Sequence, residues 1–150
     1  MSEIGFVIIT HGDMGMEMLR VATYIMGKKL GNIVSVKVPF ISEMAGGELI
    51  GSEKPFQDRR EWLKRQVLDA VSEVDQGNGV IILSDIIGGT AFNLANLLLE
   101  GGGRAVIGGV NLPMLLKLPS VKKLLLPNAV KELVERSRKA IDSRQAGEEI

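Results

Sequence analysis

The stretch VIILSDIIGGT, Val80 to Thr90, decides the fold. Val80 to Ser84 is the most continuous β-type run in the chain, a short apolar segment that reads as a buried strand. Asp85 stands where that strand ends, Ile86-Ile87-Gly88-Gly89 turns the chain, and Thr90 is placed to cap a helix from Ala91 to about Glu100. A fully apolar strand running through a polar, glycine-bearing turn into a helix is the signature of a parallel sheet covered on both faces.

The same pattern repeats on either side. Upstream, Ile4 to Thr10 is a β-branched strand ending at His11-Gly12. A helix follows from Asp13 to Gly27, with Met14, Met18, Val21, Ala22 and Ile25 at helical spacing. Ile33 to Phe40 is a second strand. Ser42 to Pro55, rich in glycine, reads as a long loop, and Asp58 as the cap of a helix with an apolar stripe of Leu63, Val67, Ala70, Val71 and Val74. Arg59-Arg60 reads as a solvated helix start more readily than as an anion site. Downstream, Ala105 to Val110 is a fourth strand, and Asn111-Leu112-Pro113 opens a helix. Lys122 to Leu126 fits a short edge strand or a broken helix. Asn128 fits the cap of a last helix carrying Val130, Leu133, Val134 and Ile141 on one face. Strands alternating with helices predict an α/β fold, an open, mostly parallel four-stranded sheet with helices on both faces.

Composition narrows the chemistry. The chain has 150 residues, 45% hydrophobic and 24% charged, with 18 basic and 18 acidic side chains and no net charge. That balance, and the absence of any nucleic-acid-binding motif, speaks against nucleic acid as a partner. Without cysteine there is no disulfide, thiolate zinc site or cysteine nucleophile, and one histidine makes no histidine-rich metal site; a carboxylate-only Mg²⁺ site stays open, but no cluster suggests one, so no metal is expected. No G-x-G-x-x-G follows the first strand and there is no Walker A motif, so no nucleotide cofactor is expected either. The N-terminus lacks the marks of a signal peptide and no apolar run reaches the length of a membrane span, which makes the cytoplasm the expected location. Any membrane association would run through partners.

In open parallel sheets, ligands sit beyond the carboxyl ends of the strands. This selects Thr10-His11-Gly12, Asp85 to Thr90, and Asn111 to Met114. His11 can act as a nucleophile through one ring nitrogen if a carboxylate holds the other, and Asp85 is the best-placed carboxylate. Gly88, Gly89 and Thr90 offer backbone N–H groups at a helix N-terminus and a hydroxyl, which suit an anion. Nucleophile, orienting carboxylate and oxyanion cradle are the parts that phosphoryl transfer requires. Each feature alone also has an ordinary structural reading, in turn chemistry or helix capping, and spacing alone leaves both open.

Three segments together resemble the IIA component of the mannose-type (mannose/fructose/sorbose) phosphoenolpyruvate-dependent sugar phosphotransferase system. They are Phe6-Val-Ile-Ile-Thr-His11-Gly12, Ser84-Asp85-Ile-Ile-Gly-Gly-Thr-Ala-Phe-Asn93, and Gly109-Val-Asn-Leu-Pro-Met-Leu115. The resemblance spans about residues 3 to 142 and implies a single IIA-type phosphocarrier domain over residues 1–143 with a polar tail at 144–150. It implies that His11 takes a phosphoryl group from HPr and passes it to a IIB component in sugar uptake. By resemblance Asp85 is the carboxylate hydrogen-bonded to that histidine, Thr90 the hydroxyl near the phosphoryl group, and Thr10 and Asn111 line the site. It also implies a homodimer, often with an antiparallel C-terminal edge strand exchanged between subunits. Ala91 departs from the family pattern, which has proline there. Stand-alone chains of this kind also occur in regulatory branches, so the alternative is a module whose phosphorylation state controls binding to a partner protein. The loop from Ser42 to Pro55 is the natural suspect for such a surface.

Overall fold

The computed structural model describes residues 2–40 and 54–147, with side chains in the second helix from Arg59 onward. Strands β1 (Gly5–His11), β2 (Ile33–Val38), β3 (Val80–Ser84) and β4 (Arg104–Gly108) form one sheet in the order β2-β1-β3-β4, every pair parallel. The helices are α1 (Met14–Met26), α2 (Lys54–Val74), α3 (Thr90–Leu97), α4 (Leu112–Val121) and α5 (Leu126–Lys139).

Alternation along β1 sorts the helices onto two faces. Val7 and Ile9 pack with Val36 and Val38 of β2 against Leu63 and Val67 of α2 and Leu94 of α3. Phe6 and Ile8 point the other way, into Ala22 of α1, Leu115 and Leu118 of α4, and Leu133 of α5. Both faces of the central strands are dry, which is why they read as unbroken apolar runs rather than as alternating ones. Each fully buried Leu or Ile here contributes about 1.5–3 kcal/mol of transfer free energy.

The strand order places the functional end of the sheet. The chain leaves β1 toward β2 on one side and returns to β3 on the other, so the crevice between the carboxyl ends of β1 and β3 is the topological switch point. His11 ends β1, and Asp85 directly follows β3.

Several boundaries differ from the sequence reading. In α1, Met14, Val21 and Ile25 are exposed, while Gly15 and Ala22 are buried. The helix approaches the sheet through Gly15: a Cβ there would sit 2.9 Å from Thr10 Oγ1, Ser35 Oγ and Ile8 Cγ2. That close approach turns the Gly15–Met18–Ala22 edge inward and the expected apolar stripe partly outward. Helix α2 begins at Lys54, so Asp58 lies inside it rather than at its cap. Gly89, not Thr90, is the N-cap of α3, which ends at Leu97 rather than Glu100. Lys122 to Leu126 is not a strand. Helix α4 continues through Pro119 to Val121, and α5 starts at Leu126, with Leu125 as its N-cap and Pro127 in its first turn, so Asn128 is helical. Ile141 lies past the end of α5 and is exposed. Of the expected loop from Ser42 to Pro55, residues 42–53 lie outside the described residues.

Candidate functional site

The site is built where β1 and β3 stop pairing. Amides along β1 alternate: those of Phe6 and Gly12 donate toward β2, to Asn32 O and Val38 O, while that of Gly5 donates toward β3, to Gly79 O. By that alternation the His11 amide faces β3. The β1–β3 ladder, however, ends at Ile9↔Ser84. The Asp85 side chain supplies the missing acceptor, its Oδ2 taking the His11 backbone N–H at 2.9 Å. The same Oδ2 lies 2.8 Å from His11 Nδ1, and Oδ1 accepts from the Ile86 N–H at 2.9 Å. Both carboxylate oxygens are thus engaged.

The electrostatics follow from this geometry. The Asp85 carboxyl is only 9% exposed, and burial pushes its pKa up. Hydrogen bonds from the His11 amide and ring, the ring's charge and the Ile86 amide outweigh that, and together they hold it below the ordinary carboxylate range. In the neutral ring, a hydrogen bond to an ionised Asp85 places the proton on His11 Nδ1 and leaves the lone pair on Nε2, on a ring 40% exposed to solvent.

The glycine turn follows directly. Gly88 has φ +79°, a backbone conformation that favours glycine. A Cβ on Gly89 would lie 2.8 Å from Ile86 Cγ2. The first helical hydrogen bond of α3 runs from Asn93 N to Gly89 O, so the amides of Thr90, Ala91 and Phe92 precede it without acceptors inside the helix. The Asn93 side-chain amide donates to Gly88 O at 3.1 Å, and Ser84 Oγ donates to Ile86 O at 3.2 Å, bracing the loop from both ends. Thr90 is exposed at this edge. Exposed Ile86, Ile87, Met14 and Phe40, the last with its ring against Gly12, make an apolar rim.

Two of the expected site residues are committed elsewhere. Thr10 is fully buried and projects to the face opposite His11, where its Oγ1 accepts from the Gly15 N–H at 2.7 Å and anchors the start of α1. Asn111 caps α4, its Oδ1 accepting from Met114 N at 2.9 Å, and its Nδ2 donates to Ser137 O at 3.3 Å. It faces a groove of about 360 Å³ between β4, Phe92 and α5. Among the described residues no group of three His, Asp or Glu side chains could hold a metal ion.

Arg59, which reads in the sequence as part of a solvated helix start, lies inside α2 instead. Its Nη2 donates to Pro39 O at 2.7 Å, and its Nε is buried with no hydrogen-bond partner among the described residues. Arg60, by contrast, is exposed. The available signal was the α2 stripe itself, because Arg59 stands four residues before Leu63 on the same helical face.

Comparison with known proteins agrees with this architecture. The chain is 34% identical over 73 residues to YadI of Escherichia coli (strain K12), which carries the name phosphotransferase enzyme IIA component; the match covers 48% of this chain and 50% of YadI, so the chain matches about half the length of that relative. The mannose/sorbose specific IIA subunit of the phosphotransferase system from Enterococcus faecalis has the same fold, with a TM-score of 0.67 over all of both chains at 20% identity. The phosphotransferase system component EIIA from Streptococcus agalactiae superposes with a TM-score of 0.66 at 21% identity, over 93% of this chain and 96% of that one. The model of the family described as PTS system fructose IIA component matches residues 38–137, which include Asp85 and the glycine turn and leave β1 outside. On that match the chain belongs to the fructose/mannose IIA family of the phosphotransferase system.

Proposed function

We propose that this protein is a phosphohistidine carrier in which His11 accepts a phosphoryl group from HPr and passes it to a IIB component. The observation that carries the reading is the double use of Asp85 Oδ2, which takes the His11 backbone N–H and faces its Nδ1. That arrangement orients the ring and supports the tautomer protonated at Nδ1.

The step balances without a cofactor. The Nε2 lone pair of His11 attacks the phosphorus of the donor's phosphohistidine as the donor's P–N bond breaks, and the bonding pair returns to the donor imidazole. His11 becomes a phosphoimidazolium that keeps its Nδ1 proton, and Asp85 offsets the ring's new positive charge. The free amides at the start of α3 and the Thr90 hydroxyl lie at the same strand ends and suit the phosphoryl oxygens. Transfer to the acceptor runs the same steps in reverse. The apolar rim of Ile86, Ile87, Met14 and Phe40 suits protein partners better than small solutes. We further propose that residues 1–143 act as one phosphocarrier domain and that the protein works in the cytoplasm as a homodimer. No helix among the described residues is long and apolar enough to cross a membrane.

Incubation with phosphoenolpyruvate, enzyme I and HPr should place acid-labile label on wild type and none on His11→Ala. Label that persists undiminished in His11→Ala would overturn the assignment.

A further inference from the structure

We infer that Arg59 is a catalytic residue of this site, the cation that meets the phosphoryl oxygens as the group passes through His11. The inference rests on the phosphocarrier reading and adds a residue to it.

Placement comes first. Helix α2 crosses from β2 back to β3 and therefore starts at the carboxyl end of the sheet. Its stripe of Leu63, Val67, Ala70, Val71 and Val74 packs on Val7, Ile9, Val36 and Val38. Arg59 is one turn before Leu63 on that stripe, at the edge of the apolar core nearest the strand ends. His11 follows Val7 and Ile9 in the alternation of β1, so its ring projects to the same face of the sheet. Its register partner is Val38, and the next residue, Pro39, holds the Arg59 guanidinium through its carbonyl. Ring and guanidinium thus share one corner of the molecule.

The chemistry is the second argument. A buried N–H without an acceptor is costly, so native proteins seldom keep one without a use. Among the described residues no carboxylate pairs with Arg59, and Nε is the atom left over. A guanidinium fork matches the oxygens of a phosphoryl group, and the incoming group satisfies the orphan donor. A cation also complements the site's charge, because the ionised group behind the His11 ring is the Asp85 carboxylate, which repels an approaching anion. Lys37 does not take this part: its register partner is the inward-facing Thr10, and its ammonium lies 3.6 Å from Asp13 on the opposite face.

The test compares phosphoryl transfer from phosphorylated HPr to wild type, Arg59→Lys and Arg59→Gln at saturating donor. Melting curves are recorded for each protein, together with the Arg59 Nε–H resonance of wild type, assigned by its loss in Arg59→Lys. We expect Arg59→Gln to transfer at least tenfold more slowly with an unchanged melting curve, Arg59→Lys to fall between, and the wild-type Nε–H resonance to move when His11 is phosphorylated. Transfer by Arg59→Gln within twofold of wild type overturns the inference. So does slow transfer combined with a wild-type Nε–H resonance that does not respond to phosphorylation, since that pattern marks a purely structural role. If Arg59→Gln does not fold, the wild-type resonance decides alone. A wild-type chain that takes no label defeats the phosphocarrier reading and this one with it; a labelled wild type beside an equally fast Arg59→Gln defeats this one only.

Discussion

Asp85→Asn removes one charge and adds two protons at a position where every neighbour is a donor. Asp85 accepts three times, from the His11 amide, His11 Nδ1 and the Ile86 amide. An asparagine has only one oxygen to offer. If that oxygen stays toward His11, the new NH2 faces the Ile86 N–H, and the imidazolium formed on transfer loses its counter-charge. If the oxygen turns to Ile86, the NH2 faces His11, the ring must accept at Nδ1, and its proton moves to Nε2, the atom that has to attack. Either orientation slows transfer. A charge-assisted hydrogen bond to a group this buried contributes about 1.5–3 kcal/mol, and about 1.4 kcal/mol is tenfold in rate, so the variant should transfer roughly 10- to 100-fold more slowly. The donor-against-donor contact should also lower stability by about 1–3 kcal/mol. Rapid-quench measurement with radiolabelled HPr at saturating donor separates the rate of the step from the affinity of the encounter. A rate within twofold of wild type at saturation, in a variant that folds, would remove Asp85 from the mechanism and with it the tautomer argument for Nε2.

Two further outcomes follow from the same contacts. Gly15→Ala gains about 1 kcal/mol of helix propensity but pushes a methyl group to 2.9 Å from three atoms, two of them hydroxyl oxygens, at a site where overpacking costs about 1–3 kcal/mol. We expect net destabilisation of up to about 2 kcal/mol, a fall in Tm of up to about 6 °C by calorimetry; a higher Tm would mean that α1 does not sit this close to β1. Because the folded-state pKa of Asp85 is depressed, its stabilisation is fully present above the ordinary aspartate value and is lost as pH falls through the lower folded value. The stability gap between wild type and Asp85→Asn, measured by urea unfolding, should therefore be constant from pH 5 to 8 and close on acidification below that range. A gap that narrows already between pH 7 and 5 would contradict the depressed value.

The sheet and the pairing of His11 with Asp85 were legible for a physical reason. Strands buried on both faces are written as continuous β-branched runs, and polar residues directly after such runs fall at the carboxyl ends, where a parallel sheet opens its crevice. Thr10 and Asn111 lie at the expected end of the sheet but spend their polar atoms on α1, α4 and α5, each for its own reason. Thr10 neighbours His11 in a strand, so alternation alone sends it to the other face. Asn111 has the same sequence context whether it lines a site or caps a helix, and only the contacts with Met114 and Ser137 separate the two. The inward face of α1 was misread because glycine carries no apolar signal, yet Gly15 decides which side lies closest to the sheet. Arg59 was misread because a charge beside a second arginine reads as solvated, although its position in the stripe is that of a core residue.

Asp85 also explains why so small a site tolerates a strand end as its platform. The last residue of a β-strand has lost its neighbour in the ladder and is normally free to fray. Here the amide of His11 points toward β3 one step beyond the last pair, Ile9↔Ser84, and the Asp85 carboxylate stands in for the missing backbone carbonyl. On the other side, the Gly12 amide donates to Val38 O, so the strand end that carries His11 is pinned from both neighbours. One carboxylate oxygen therefore closes the sheet and orients the ring, and the two tasks cannot be separated by mutation at Asp85 alone. A slip of β1 by one residue would carry His11 to the Thr10 face and take the His11 ring away from Asp85 Oδ2. The carboxylate oxygen that positions the ring is thus also the one that penalises the wrong register, which ties the correctness of the fold at this corner directly to the pairing of His11 with Asp85.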